Sequence, residues 1–361
     1  MNYAEVKSAQ LGTVEQGESC WLATVADRLT GETTQIRSRV LINACGPYVD
    51  HFNQLIQHDT NYQHVFSKGI HLIVDRVIPR EVMPEDKVLA FFASDGRLFF
   101  VLPMGPKTCI GTTDTRVDSP TSTVSEEDRQ FVLDNANEML NLPRKLTTKD
   151  IIAERCGVRP LAVKKARESG DDWLTLSRKH VTEVDASKRL LSIFGGKLTD
   201  CINVGEEVAQ IVSGFGVGAA QNPMVWYGEP PASDKKAFLA RTAELDIDGK
   251  VKTLSGEPLS ERIWRRYGAF ANELLDAMIE DDTLLEKPIQ EIEYTRGEIM
   301  LMAKTEMIIT LEDFLRRRSK VLMVMSAEEL IKHPGLRDIA KLLFNGSAES
   351  KLQDFIERHT Q

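Results

Sequence analysis

The sequence predicts a mixed α+β / α/β fold in three parts, and three observations predict it. A β-rich stretch opens the chain, and an apolar strand running into Gly195-Gly196 returns to it late, so residues 1–60 and 190–221 form one discontinuous domain. Residues 61–189 carry short apolar runs at hairpin spacing, the pattern of an antiparallel sheet. From 232 to 361 apolar residues recur at helical spacing, which predicts an all-α domain.

The elements follow in order. Tyr3-Ala4-Glu5-Val6 reads as a strand, and the runs Cys20 to Val25 and Gln35 to Ile42 flank a Thr30-Gly31-Glu32 turn, giving a hairpin. Asn43-Ala44-Cys45-Gly46-Pro47 ends the second strand at a Gly-Pro turn. In the next domain His71 to Val74, Val88 to Ala93, Arg97 to Pro103 and Thr108 to Thr113 alternate with polar or glycine turns. Ser125-Glu126-Glu127-Asp128 is a variant capping box that opens a helix, whose stripe of Phe131, Val132, Met139 and Leu140 would cover the sheet. Leu190 to Phe194 is a buried strand; two glycines follow, and a helix starts around Cys201.

Gly214 to Ala219 fits the pattern G-x-G-x-x-A, yet it follows a helix (Asn203 to Val212) and precedes Gln221-Asn222-Pro223. Without a strand before it and a helix after, it reads as a helix C-cap and linker, and Pro223 to Pro231 continues that linker. Helical repeats then appear at Ile263-Trp264-Tyr267, Leu274-Leu275-Met278 and Ile299-Met302-Ala303. The basic run Phe314 to Met323 reads as a helix with a solvated basic face, contact with anionic lipid being the alternative.

Composition bounds the function. The formal net charge of −9 argues against nucleic acid as a partner. The five cysteines are scattered, with no C-x-x-C and no metal-ligand spacing among Cys and His, so no metal is expected and the thiols fit a reducing, cytoplasmic setting. No apolar run reaches the length of a membrane span.

In so acidic a chain, basic groups beside strand ends and glycines stand out: Lys68, His71, Arg159, Arg178 and Lys197. Together they suggest an anionic small molecule. Arg159 lies between Val158 and Pro160, where a guanidinium meets either a bound anion or a structural carboxylate. His71 follows Gly69-Ile70 and is either a satisfied structural histidine or a base near neutral pH. Paired glycines between strand and helix are either a tight turn or a place where a flat ligand approaches the backbone.

The stretches Ile42 to Val49, Lys68 to Val74, Cys109 to Thr115, Cys156 to Leu161 and Gly195 to Thr199 stand in the order seen in one family. The chain resembles FAD-dependent (aerobic) glycerol-3-phosphate dehydrogenases, from residue 1 into the helical C-terminal third. That resemblance implies that residues 1–60 and 190–221 belong to an FAD-binding domain and 61–189 to a substrate domain. FAD would then lie along Gly195, Gly196, Lys197, Leu198 and Thr199, with a Cβ on either glycine falling where the ring lies, and Ala44 and Gly46 near its adenosine half. Arg159 and Arg178 would contact the phosphate of sn-glycerol 3-phosphate, His71 would act as base or orient the hydroxyl, and Lys197 would stand beside flavin and substrate.

The resemblance further implies a quinone or membrane surface as electron acceptor, and a cytoplasmic protein peripheral to the inner face of the membrane. A homodimer is left open. Oxygen as acceptor, an amine or amino-acid oxidase, and a non-catalytic module are the rival expectations. Such flavoproteins begin with a strand, a G-x-G-x-x-G turn and a helix that hold the FAD pyrophosphate. Nothing before Tyr3 supplies them, so the chain is expected to be N-terminally truncated, to bind FAD weakly and to leave sheet edges exposed.

Overall fold

The computed structural model describes residues 2–13, 19–93, 95–165, 178–218 and 230–360. Ala219 and most of the linker from Pro223 to Pro231 lie outside the described residues. The chain groups into two units of three segments each. Met1–Ile70, Thr113–Asp128 and Cys156–Gln221 form the first; His71–Thr112, Arg129–Arg155 and Asn222–Gln361 form the second.

The strands are β1 (Ala4–Thr13), β2 (Ser19–Asp27), β3 (Thr33–Ser38), β4 (Leu41–Asn43), β5 (Tyr62–Asp75), β6 (Leu89–Phe92), β7 (Leu98–Met104), β8 (Lys107–Gly111), β9 (Thr115–Val117), β10 (Ala153–Lys164), β11 (Val181–Asp185) and β12 (Leu190–Phe194). Among them run helices α1 (Val49–Leu55), α2 (Glu126–Met139) and α3 (Cys201–Gly214).

In the first unit β1, β2 and β3 form an antiparallel meander, and Gly31 at φ +78° makes the expected β2–β3 turn. The strand expected to run through Ile42 instead breaks after Ser38. The backbone changes sheets there: Leu41 N donates to Arg189 O at 3.1 Å, and β4 pairs parallel with β12, which has β11 antiparallel on its other side. Successive residues of β12 are buried and not only alternate ones, so both of its faces are covered, which fits an apolar run broken only by Ser192. Trp21, Ala9 and Leu190 pack together beneath the meander, and Trp21 Nε1 donates to Lys188 O at 2.8 Å. Buried Asn43 donates to Val49 O and Asn53 Oδ1, and Ser192 Oγ also donates to Asn53 Oδ1, so the ends of β4 and β12 are tied to α1.

Strand β5 runs from the first unit into the second. Its Phe66–Lys68 stretch pairs antiparallel with β9 in the first, and His71–Asp75 pairs with β8 in the second, followed by β7 and β6. The sequence placed this strand only at His71 to Val74. It begins at Tyr62 because the polar residues that interrupt the apolar pattern have partners: Lys68 pairs with Asp128, Ser67 donates to Asp114, and His64 lies against Asp50. The capping box of α2 forms as expected, with Ser125 N donating to Asp128 Oδ2 at 2.9 Å and Asp128 N to Ser125 Oγ at 3.2 Å.

The rest of the second unit is helical: α4 (Ala232–Glu244), α5 (Ile247–Lys250), α6 (Leu259–Tyr267), α7 (Phe270–Glu280), α8 (Arg296–Thr305), a π-helix (Asp313–Arg318), α9 (Val321–Val324), α10 (Ala327–Lys332), α11 (Gly335–Phe344) and α12 (Ala348–Thr360). Ile263, Trp264, Leu274, Leu275 and Met278 are buried in one apolar cluster, Ile299 and Met302 in a second. The basic run is not one amphipathic helix. Phe314 and Leu315 are buried in the π-helix, but extended Ser319, whose hydroxyl donates to Phe314 O at 2.6 Å, stops it before α9. Among the described residues no helix is long and apolar enough to cross a membrane.

Candidate functional site

Because β4 and β12 are parallel, their C-terminal ends share one edge of the sheet, where open α/β sheets place their ligands. At that edge β4 leads into Ala44 and Gly46 (φ +54°), and β12 leads into Gly195 (φ +64°) and Gly196 (φ +95°). The left-handed backbone accounts for both glycines of the second turn. A Cβ on Gly195 would stand 3.3 Å from Ala162 N and Lys179 O, and one on Gly196 3.1 Å from His180 Cβ. The protein itself thus already crowds a side chain at either position.

Beyond the glycines Lys197 and Thr199 are exposed and Leu198 is 90% exposed, on a single turn that feeds the N-terminus of α3. A bare leucine beside two glycines and the start of a 14-residue helix offers an apolar contact and a positive dipole end together. That combination fits a flat, anionic cofactor. Ala44, Gly46, Gly195, Gly196, Lys197, Leu198 and Thr199 are the residues present that would hold it.

A cavity of about 370 Å³ opens beside this turn, lined by Val158, Arg159, Pro160, Leu161, Arg178, Gly196, Lys197 and Leu198. Arg159, Arg178 and Lys197 are thus brought together, as the charge pattern suggested. The sequence missed Asp114, which serves both guanidinium groups: Arg159 Nη1 is 3.5 Å from Oδ1, and Arg178 Nη2 donates to Oδ2 at 3.2 Å. Burial draws the Arg159 guanidinium below its usual range, with Asp114 opposing and the Arg178 charge adding to it. It nonetheless stays charged at neutral pH. The structural carboxylate expected for Arg159 is therefore present, and the same guanidinium also lines the cavity.

Lys68 does something else. It is buried against Asp128, the capping carboxylate of α2. Burial works to raise that carboxyl, but Lys68 and Ser125 hold it below its usual range. Lys68 closes a helix cap and does not line the cavity. His71 belongs to the second unit, half-buried and opposite Gly111 in the β5–β8 ladder.

Two histidines without a sequence signal brace the glycine turn. The ring of His64 is fully buried; Gly195 N donates to its Nε2 at 3.0 Å, and its Nδ1 lies 2.7 Å from Asp50 Oδ2. His180, below Gly196, has Nδ1 2.7 Å from Asp200 Oδ2 and Nε2 2.8 Å from Glu207 Oε2, which clamps β11 to the start of α3. Glu207, then Asp200, raise the His180 pKa against the pull of burial; His180 lowers the Glu207 carboxyl in return, and Asn203 and then His180 lower that of Asp200. A raised histidine contributes stability that is complete below its unfolded pKa and lost as pH rises through the folded value. The melting temperature should therefore fall as pH rises above about 6.5, and His180→Gln should flatten that slope. Thermal scans across pH check this; parallel curves for the two proteins would refute it.

Residues 3–181 match the family of FAD dependent oxidoreductases, and residues 241–348 match the C-terminal domain of alpha-glycerophosphate oxidase. The chain belongs to the FAD-dependent oxidoreductase family. Within it, the chain is 29% identical over 335 residues to the aerobic glycerol-3-phosphate dehydrogenase of Staphylococcus haemolyticus, covering 88% of this chain and 57% of that protein. It is 30% identical over 305 residues to glycerol-3-phosphate dehydrogenase 2 of Mycobacterium tuberculosis, covering 82% and 48%. The glycerol-3-phosphate dehydrogenase from Bacillus halodurans, solved complexed with FAD, superposes with a TM-score of 0.70 at 24% identity, over 99% of this chain and 68% of that one. This oxidoreductase chain thus has the family's mixed α/β fold, and spans about half the length of the curated relatives it matches.

Proposed function

We propose that this chain carries the substrate site of a flavoenzyme that oxidises sn-glycerol 3-phosphate at C2 to dihydroxyacetone phosphate, with a quinone as the final acceptor. The observation that carries this reading is the convergence of Arg159, Arg178 and Lys197 on one small cavity beside the glycine turn. In a chain of net charge −9, that grouping suits a phosphate, which accepts from two guanidinium groups at once. The dehydrogenases among its relatives support the same substrate.

Bound FAD would supply the two-electron acceptor for the hydride that leaves C2. Arg159 and Arg178 hold the phosphate and so fix the position of C2. Lys197 stabilises negative charge on the C2 oxygen as the carbonyl forms. His71, as the family resemblance implies, takes the proton of the C2 hydroxyl on its imidazole.

The match of residues 241–348 to an oxidase domain favours a second reading in which oxygen replaces the quinone. One experiment addresses both. With FAD supplied and oxygen excluded, glycerol 3-phosphate, and not glycerol or an amino acid, should bleach the oxidised-flavin absorbance; a quinone analogue or oxygen is then admitted to see which restores it. Bleaching by an amino acid instead would overturn the substrate assignment.

A further inference from the structure

Gly69 sits in the buried middle of β5, between Lys68 and Ile70, and it is not one of the left-handed glycines. No turn requires it. Glycine inside a strand costs backbone entropy and leaves nothing to pack, so its presence there usually marks a close approach by another group. The group is the Arg159 side chain: a Cβ built on Gly69 would fall among Nη1, Nη2 and Cζ of that guanidinium, its three nearest atoms. Arg159 therefore lies flat on bare backbone. Asp114 fixes it from the side, and is itself held by Ser67 two residues before Gly69 and by Arg178.

We propose that Gly69 is a positioning residue, the seat that sets where the Arg159 guanidinium presents its donors to the cavity. Its consequence for ligand binding rests on the phosphate reading of that cavity; its consequence for the protein does not. The atoms that an added methyl would displace are the far end of a flexible side chain, so Gly69→Ala should leave the fold intact and move the guanidinium. A displacement of about an ångström in a clamp of this kind costs about 10- to 100-fold.

The test is a double-mutant cycle on the full chain with Gly69→Ala, Arg159→Ala and the pair. In thermal unfolding, the change caused by Ala at 69 should be less favourable with Arg159 present than with Ala at 159, by at least about 2–4 °C. Equal changes in the two backgrounds would overturn the proposal. In calorimetric titrations with inorganic phosphate and with glycerol 3-phosphate, Gly69→Ala should weaken binding of both about 10- to 100-fold, and should add no further loss once Arg159 is gone. Undiminished affinity in Gly69→Ala would also overturn it. If the unsubstituted chain binds neither anion, the phosphate reading falls, and the thermal cycle still decides the role of Gly69.

Discussion

Replacing Arg262 by methionine is expected to destabilise the second unit by about 3–5 kcal/mol, since it strips one partner from a buried ion network. Arg262 is 1% exposed and Glu298 is fully buried; Arg262 Nη2 donates to Glu298 Oε2 at 2.6 Å, and Nη1 donates to Glu293. The same Glu298 closes the capping box of α8 by accepting from Thr295 N at 2.9 Å, and Arg266 donates to its other oxygen at 2.9 Å while stacking over Tyr294. Loss of Arg262 leaves the fully buried Glu298 carboxylate with Arg266 on one oxygen and no guanidinium on the other, and takes the Arg262 partner from Glu293. If stranded charge is the cause, Glu298→Gln added to Arg262→Met should recover part of the loss in chemical denaturation. A double variant as unstable as the sum of its parts would point to packing instead.

That network was invisible in the sequence, because its members are drawn from α6, the segment before α8 and α8 itself, and charge alone does not say which arginine is inside. The apolar stripes on the same helices were legible, since Ile263, Leu274 and Ile299 recur at the helical period whatever they pack against. The same division runs through the first unit. Turn chemistry announced Gly31 and the Gly195-Gly196 turn, and S-x-x-D announced the α2 cap. Pairing of Lys68 with Asp128, of Ser67 and Arg159 with Asp114, and of His180 with Asp200 and Glu207 depends on residues distant in the chain or on the other side of a turn. Most of β5 was therefore missed, and Lys68 was grouped with cations that face a ligand.

The cavity cations also differ in how firmly they are held. Lys197 is exposed, and the Arg178 side chain is 53% exposed with one carboxylate contact, whereas the Arg159 side chain is 33% exposed and lies between a glycine seat and Asp114. A fixed guanidinium loses little freedom on binding and presents two parallel donors, so specificity for a phosphate should come chiefly from Arg159. The other two add attraction that salt screens.

Arg159→Ala should accordingly cost about 2–5 kcal/mol of phosphate-ester binding, or roughly 30-fold to several thousand-fold in Kd. The lower half of that range is the expectation, because Arg178 and Lys197 remain and water reaches a partly exposed site. Arg159→Lys sharpens the result. Lysine keeps the charge but has no planar fork, and its tetrahedral ammonium cannot lie flat on Gly69 while bonding Asp114 and a phosphate together, so most of the loss should persist. The salt dependence of binding in Arg159→Ala should be no steeper than in the unsubstituted chain, because Arg178 and Lys197 are screened alike in both, so salt removes a larger share of the smaller binding energy that is left. Calorimetry with glycerol 3-phosphate at low and at physiological ionic strength measures both quantities. Near-native affinity in Arg159→Ala would return this arginine to a purely structural pairing with Asp114, and near-native affinity in Arg159→Lys would show that charge alone, without the fork, holds the phosphate.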